Sequence, residues 1–318
     1  MRVDVSEVKC RRECSRKWAL SSRNYYHMKP KTESPNLVFG SIFHEGLAGL
    51  YLSKGDQVKI DQVIDKNVQK LEGDPELQRT MANMLIGYSR EVLPGDLERY
   101  EVIDIEHKFR FGLPEYLIKS SEEWAKELEI CGSIDMILLD RENNAMVGFE
   151  HKSCKNFRTP FYNVMDEQPR TYFIALGRYV ERYNKSNGTN YVNGGIYVNE
   201  VRKLKTRFEH NRIDPIMYSP EECDKFLEGF KKTAEQIYFA PKMNSDKLPA
   251  PEPSYLKCNM CDFKDVCEHY GYRAPKKDDI LDEFAEEIEI REFDHLDEKV
   301  QRSGETQDAV PPAYSVEG

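Results

Sequence analysis

No stretch of this 318-residue chain is apolar over the ~20 residues that a bilayer-spanning helix needs. The opening Met1-Arg-Val-Asp-Val5 lacks the apolar run of a secretory signal. The expectation is therefore a soluble cytoplasmic protein with no membrane partner. No internal repeat occurs, which argues against solenoids and propellers. No phosphate-binding glycine loop occurs, so a P-loop nucleotide site is not expected. Net positive charge is also missing, the formal total being −10. That deficit is uneven. Residues 272–318 carry 14 acidic and 6 basic side chains, a net of −8, which leaves −2 for the rest. The first 271 residues are thus nearly neutral, and a local basic groove for nucleic acid is not excluded.

What the chain does have is concentrated between Cys131 and Lys152. Ser133–Leu139 is rich in apolar β-formers, and Ala145–Lys152 follows the pair Asn143-Asn144. Asparagine tolerates the left-handed backbone of hairpin turns, so the spacing predicts two antiparallel strands. With the Asn pair as a two-residue loop, Asp135 faces Lys152 and Glu150 faces Ile137. A register two residues different puts Asp135 opposite Glu150. In both registers Asp135, Glu150 and Lys152 share one face, because strand side chains alternate. Taken alone, such a set is commonly a surface hairpin with an exposed ion pair. Two carboxylates beside an ammonium, flanked by apolar residues, also suit a hard divalent cation and an attacking water.

Around the hairpin the pattern is mixed. A basic helix is expected over Ser6–Asn24 with Ser6 as cap, then a loop over Tyr25–Asn36. An apolar helix over Ser41–Leu52 contains His44, and on its own a histidine there is commonly a satisfied core residue. Helices near Gln57–Leu71 and Pro75–Leu93 form a helical insertion. Tyr100–Phe111 is expected to be a strand, with Glu106 facing solvent. After the hairpin come a loop over Phe157–Val164 and a helix over Asp166–Tyr183, on which Gln168 and Tyr172 share a face. A second hairpin is expected over Tyr191–Glu200 and Lys203–His210, then a helix over Pro220–Phe239 and a linker over Pro241–Tyr255. Ile280–Ile290 is expected to form a short helix, and the chain end to be disordered.

Eight cysteines without a secretory signal do not suggest a disulfide framework. Cys258-x2-Cys261-x5-Cys267 points instead to a metal centre. Thiolates suit either zinc or an iron–sulfur cluster. A zinc ribbon supplies a second close pair, whereas Cys267 stands alone. A fourth thiolate must come from far along the chain. Cys14 would close a loop of 244 residues, removing much chain entropy from the unfolded state. Cys10 is the competing N-terminal ligand. Cys131, Cys154 and Cys223 are expected to be plain thiols.

In order, these elements resemble the PD-(D/E)XK nucleases, and within them the RecB-like branch with an iron–sulfur cluster, which includes AddB-type nuclease domains and the CRISPR-associated iron–sulfur exonucleases. The resemblance spans residues 6–270. It runs through Cys14-Ser-Arg-Lys-Trp18 (the family usually has Cys-Pro), Gly40-x3-His44, Gly132-Ser-Ile-Asp135, Glu150-His151-Lys152, Gln168-x3-Tyr172 and the three late cysteines. It implies an α/β fold with a mixed central sheet flanked by helices. This is a restriction-endonuclease-like core with a helical insertion and an iron–sulfur staple, over residues 1–271, followed by an acidic tail over 272–318. It further implies that His44, Asp135, Glu150 and the His151 carbonyl hold Mg²⁺ or Mn²⁺. Lys152 would orient water and stabilise charge on the phosphate, while Gln168 and Tyr172 contact the strand. Cys14, Cys258, Cys261 and Cys267 would hold a 4Fe–4S cluster. The implied activity is metal-dependent DNA cleavage, as an exonuclease on single strands or free ends, in repair, recombination or genome processing. The rivals are a nucleic-acid-binding protein of this fold with little catalysis and a zinc-stapled interaction protein. The acidic tail is expected to dock a basic protein partner, to compete with DNA, or simply to be solvated.

Overall fold

The computed structural model describes residues 1–31, 34–243, 248–281 and 283–288. Its strands are β1 (Arg2–Asp4), β2 (Met28–Pro30), β3 (Tyr100–Gly112), β4 (Glu129–Asp140), β5 (Ala145–Cys154), β6 (Val192–Arg202), β7 (His210–Arg212) and β8 (Ala285–Glu287). A six-stranded sheet has the order β1-β4-β5-β6-β7, with β3 also paired to β4. The β4–β5 and β6–β7 pairs are antiparallel, and β1–β4 and β5–β6 are parallel. The sheet is therefore mixed and the fold α/β, as expected. Among the described residues the chain divides into two units. One comprises the stretches before residue 35, from 111 to 131 and from 224 onward; the other comprises 35–110 and 132–223.

The second unit is built on both faces of β5. On one face Met136, Leu138, Val147 and Phe149 join a buried cluster with Phe39, Phe43, Leu47, Leu50, Met81, Met84 and Leu85. Those partners come from the Pro35–Leu52 and Pro75–Glu91 helices, which with Gln57–Gln69 and Leu93–Arg99 form the expected insertion. Asp56 and Asp74 cap two of them by accepting two backbone N–H groups each. The helices approach closely at Gly46 and Gly49. A methyl group there would meet Leu85 at 2.9 Å and Val63 at 2.8 Å. On the other face lies the Glu167–Asn187 helix, which buries Tyr172, Ala175, Leu176, Tyr179 and Val180. Asp166 caps its start, and Gly188 ends it with φ 65°.

The first unit holds mostly short pieces beside one long helix. Val5–Glu13 and Ser15–Ser21 are separate helices, not one, because Cys14 is extended (φ −160°, ψ 111°) and caps the second. Asp4, not Ser6, caps the first. The region expected to be loop at Tyr25–Asn36 contains β2, which pairs antiparallel with β8. The Pro220–Met243 helix runs beyond Phe239 and takes in Pro241. After it come three helices, Tyr255–Asn259, Lys264–Tyr270 and Lys277–Leu281.

Three expectations in the second unit also change. The Pro35–Leu52 helix starts six residues before Ser41, since proline fits a first helical turn. Phe157–Val164 is not all loop but contains the Pro160–Met165 helix. The return strand β7 begins only at His210. Residues 289 and 290 of the expected Ile280–Ile290 helix, and the chain end, lie outside the described residues. Within 280–288 the helix stops at Leu281 and β8 follows.

Candidate active site

The β4–β5 register pairs Met136 with Phe149 and Asp140 with Ala145. Continued by one residue it sets Asp135 opposite Glu150, the second of the two expected registers. The two-residue turn is overturned by Asp140. Its carboxylate accepts the N–H groups of Glu142 and Asn143 at 3.1 and 3.2 Å, closing a four-residue turn over Arg141–Asn144. Arg99 binds the same carboxylate at 2.6 Å. Asn144 takes the left-handed conformation, φ 51°. Before Asp135, Gly132 leaves room for Phe109, whose ring a methyl group would meet at 2.6 Å.

This register gathers the expected side chains. Asp135 Oδ2 accepts the His151 backbone N–H at 2.7 Å, and Asp135 Oδ1 lies 3.3 Å from His44 Nδ1. Glu150 Oε1 pairs with the Lys152 ammonium. Lys152 also donates to Gln168 Oε1 at 3.0 Å, and Gln168 Nε2 donates to the Tyr172 hydroxyl at 2.8 Å. His44 and Asp135 thus form one linked pair, and Glu150, Lys152, Gln168 and Tyr172 a linked row, set side by side by the β4–β5 register.

The electrostatics are those of an acidic site held out of water. Burial, with the nearby charge of Asp135, pushes the Glu150 carboxyl up to about 7. Burial acts the same way on Asp135, but the His44 hydrogen bond and the His44 and His151 rings outweigh it and hold that carboxyl below its ordinary value. Burial alone would lower His44 and Lys152; Asp135 and Glu150 respectively raise them instead. Glu150 is 1% exposed, and its Oε2 has no hydrogen-bond partner among the described residues. A buried carboxylate oxygen without a donor is costly. Beside a second carboxylate, it fits a site completed by a hard cation. Among the described residues no three His, Cys, Asp or Glu side chains are already set around one point. Lys152 and His44 occupy part of the carboxylates' capacity.

The model of the PD-(D/E)XK nuclease superfamily matches residues 2–268. The chain belongs to that superfamily. Membership implies a metal-dependent nuclease, and such nucleases generally use Mg²⁺ or Mn²⁺. Among solved structures, "Crystal structure of SSO0001" is 13% identical over 84% of this chain and 85% of that one, with a TM-score of 0.35. No curated protein matches the chain.

Several residues of this superfamily member's site escape a sequence reading. His151 is 1% exposed, and its Nδ1 meets Asn199 Nδ2 at 2.7 Å. Asn199 also contacts the Tyr88 hydroxyl at 2.7 Å and Arg212 Nε at 3.1 Å. Arg212 then forms a two-pronged pair with Asp96 at 2.5 and 2.7 Å. This chain of buried bonds fixes the residue whose N–H holds Asp135. Glu200, fully buried and level with Lys152 in the β5–β6 register, accepts the Arg158 backbone N–H at 3.2 Å. The only prior signal was a carboxylate and an amide within an apolar strand. Glu106 is exposed, as expected.

The four cysteines expected to hold the cluster lie in the other unit. Cys261 and Cys267 are each raised, first by burial and then in part by the charge of Cys14, and Cys258 acts on Cys267 as well. Cys14, Cys258 and Cys261 thus each lie near Cys267, yet among the described residues the four do not converge on one point. The reason is local. Cys14 Sγ accepts the Lys17 N–H at 3.5 Å and Cys258 Sγ accepts the Ser254 N–H at 3.3 Å, so these two thiols serve their own helix starts. Arg16 links the same stretches. It is fully buried and donates to the carbonyls of Pro249, Gly271 and Arg273 at 2.8, 2.5 and 2.7 Å.

Proposed function

We propose that the protein is a metal-dependent deoxyribonuclease, an exonuclease acting on single strands or duplex ends. The observation that carries this reading is the buried, unpartnered Glu150 Oε2 beside Asp135, with the Lys152 ammonium on the same face. His44, Asp135, Glu150 and the His151 carbonyl would hold Mg²⁺ or Mn²⁺. When bound, the cation supplies a more acidic water and stabilises charge on the phosphate. The chain's own residues do the rest. Lys152 stabilises the developing negative charge and orients the water. Gln168 holds Lys152 in place, and with Tyr172 it borders the strand. His44 adds an imidazole, which suits Mn²⁺ better than Mg²⁺.

In the same reading residues 1–271 act as the nuclease domain, and Cys14, Cys258, Cys261 and Cys267 ligate a 4Fe–4S cluster that staples its ends. The nearness of Cys14, Cys258 and Cys261 to Cys267 supports this, as does the burial of Cys261 and Cys267. Cys10, pushed up to about 11 by burial, is the poorer thiolate donor. The acidic tail over 272–318, most of it outside the described residues, would compete with DNA or dock a basic partner. The deciding experiment incubates anaerobically purified protein with end-labelled single- and double-stranded DNA and either metal. Stepwise shortening from an end is expected, from a brown protein with broad visible absorption. Absence of cleavage with both metals would overturn the nuclease reading, and a colourless, folded protein containing one zinc would overturn the cluster.

A further inference from the structure

Between Lys152 and Gln168, two members of the site, the chain sends a row of large apolar side chains into water. Phe161 is 68% exposed, Tyr162 67%, Met165 55%, Val164 41% and Phe157 36%. Such a patch within nine residues is costly unless something covers it. The segment is held firmly. Asn163 is buried at 1% exposure, the Tyr218 hydroxyl donates to the Val164 carbonyl at 3.0 Å, and Glu200 accepts the Arg158 N–H at 3.2 Å. The rings are therefore presented on a fixed base. The charges around them are mainly of one sign. Lys155 and Arg158 are exposed within the segment. Burial and the nearby charge of Lys155 lower the Lys203 ammonium, a sign of crowded cations. Arg202 lies 5.8 Å from the centre of the Phe157 ring. The acidic groups present are engaged: Asp166 lies 3.3 Å from Arg158, and Glu209 pairs with Arg202 and Arg207.

We propose that residues 155–165 form a base-stacking platform that holds single-stranded nucleic acid at the mouth of the active site. Lys155, Arg158 and Lys203 would meet its phosphates, and Phe157, Phe161 and Tyr162 the faces of its bases. Rings interleaved with cations suit a strand whose bases are unpaired. Duplex bases hide their faces in their own stack, and a second copy of this surface would bring like charges together. The proposal rests on the nuclease reading for its place beside the site, but its test does not.

Binding of the full chain is measured in EDTA by fluorescence anisotropy, using labelled oligothymidylate and an abasic strand of equal length. Wild type is expected to prefer the base-bearing strand. Phe161→Ala with Tyr162→Ala should weaken oligothymidylate binding by about 5- to 150-fold per ring, the range for stacked bases, and leave abasic binding unchanged. Tyr162→Trp keeps a ring and should keep the preference, with its fluorescence quenched on binding. Lys155→Ala with Arg158→Ala should weaken both strands and flatten the salt slope by about 0.7 per charge. An unchanged base preference in the double-ring variant overturns the platform and leaves the patch to a protein partner. Hydrolysis of bis(p-nitrophenyl) phosphate, too small to span the rings, is measured in parallel. Hydrolysis with an unchanged base preference in the ring variant leaves the nuclease reading standing without the platform. A base preference lost in the ring variant, without hydrolysis of the diester or of DNA, supports the platform and sinks the nuclease.

Discussion

One arginine in each unit, Arg212 and Arg16, shows how differently the units are held. Arg212, in the unit with the candidate active site, faces a carboxylate, two side-chain oxygens and the Phe149 ring, 4.5 Å away. It sits at the back of a large apolar cluster that would stay buried without it. Arg16, in the unit with the late cysteines, grips three backbone carbonyls and also lies against the Cys267 thiol. The stretch it grips has little core of its own: Tyr255, Leu256 and Met260 are 85%, 69% and 76% exposed. One unit is organised from inside by packing. In the other, polar links tie the exposed late stretch to the buried residues around Trp18 and Leu20, which is where a ligated cluster would contribute most.

The largest expected effect separates chemistry from scaffold. Lys152→Ala or Asp135→Ala should lower DNA cleavage by about two to three orders of magnitude or more. Asp135→Ala should not lower the melting temperature, because removing a carboxylate from a crowded acidic site relieves repulsion, whereas Lys152→Ala leaves buried Glu150 without its ammonium and should lower the melting temperature of a protein that still folds. His44→Ala should cost less and narrow any advantage of Mn²⁺ over Mg²⁺, since water can replace an imidazole but not a carboxylate's charge. Near-normal cleavage by Lys152→Ala would show that the site is misplaced.

The second effect tests the two arginines. Arg212→Met leaves Asp96 buried without its partner and should destabilise by about 3–5 kcal/mol. Arg16→Met strands three carbonyls at about 1 kcal/mol or more each. Chemical denaturation should show a loss for both variants. Only Arg212→Met should also impair cleavage at temperatures where the protein stays folded, because its bonds lead through Asn199 to His151. Equal impairment by both would remove the positioning role of the Asp96–Arg212–Asn199 chain.

Much of the candidate site was legible because its residues are close in sequence or share a strand face. Asp135, Glu150 and Lys152 needed only the alternation of two strands, and Gln168 and Tyr172 only the helical repeat. The turn was misjudged because Asp140, a strand-end carboxylate, captures backbone N–H groups that a shorter turn would have left elsewhere. The helix break at Cys14 was hidden because an amphipathic pattern continues across it. Asp96, Asn199 and Arg212 had no local signal. Their side-chain partners are 11 to 124 residues away, and only the fold brings them together.

The third effect separates cluster ligands from plain thiols. Cys258→Ser, Cys261→Ser or Cys267→Ser should bleach the protein and lower its melting temperature. Cys131→Ser should do neither, although it lies in the same unit. Its thiol is pushed up to about 11 by burial and the charge of Asp4, which keeps it protonated. Bleaching by Cys131→Ser as well would mean the colour depends on the unit's general integrity and not on those ligands.

The smallest effect is an acid limit set by the packed unit. Burial, helped by the charge of Arg212 and opposed by Asp96, lowers His210 to about 4, against 6.5 for an ordinary histidine. A depressed histidine means that the unfolded chain binds a proton which the folded chain refuses. Above pH 6.5 neither form is protonated and the group has no influence. As the pH falls from 6.5 towards 4, the unfolded state is increasingly favoured, and stability drops. His210→Gln keeps a hydrogen-bonding side chain beside Asn199 but cannot take up the proton. Its melting temperature should lie below that of wild type at pH 7.5, because a packed ring is lost, and the two curves should draw together by pH 4.5. Thermal melts in matched ionic strength across that range decide the point. Curves that stay parallel would mean His210 does not titrate on unfolding, and the acid limit would have to come from other groups.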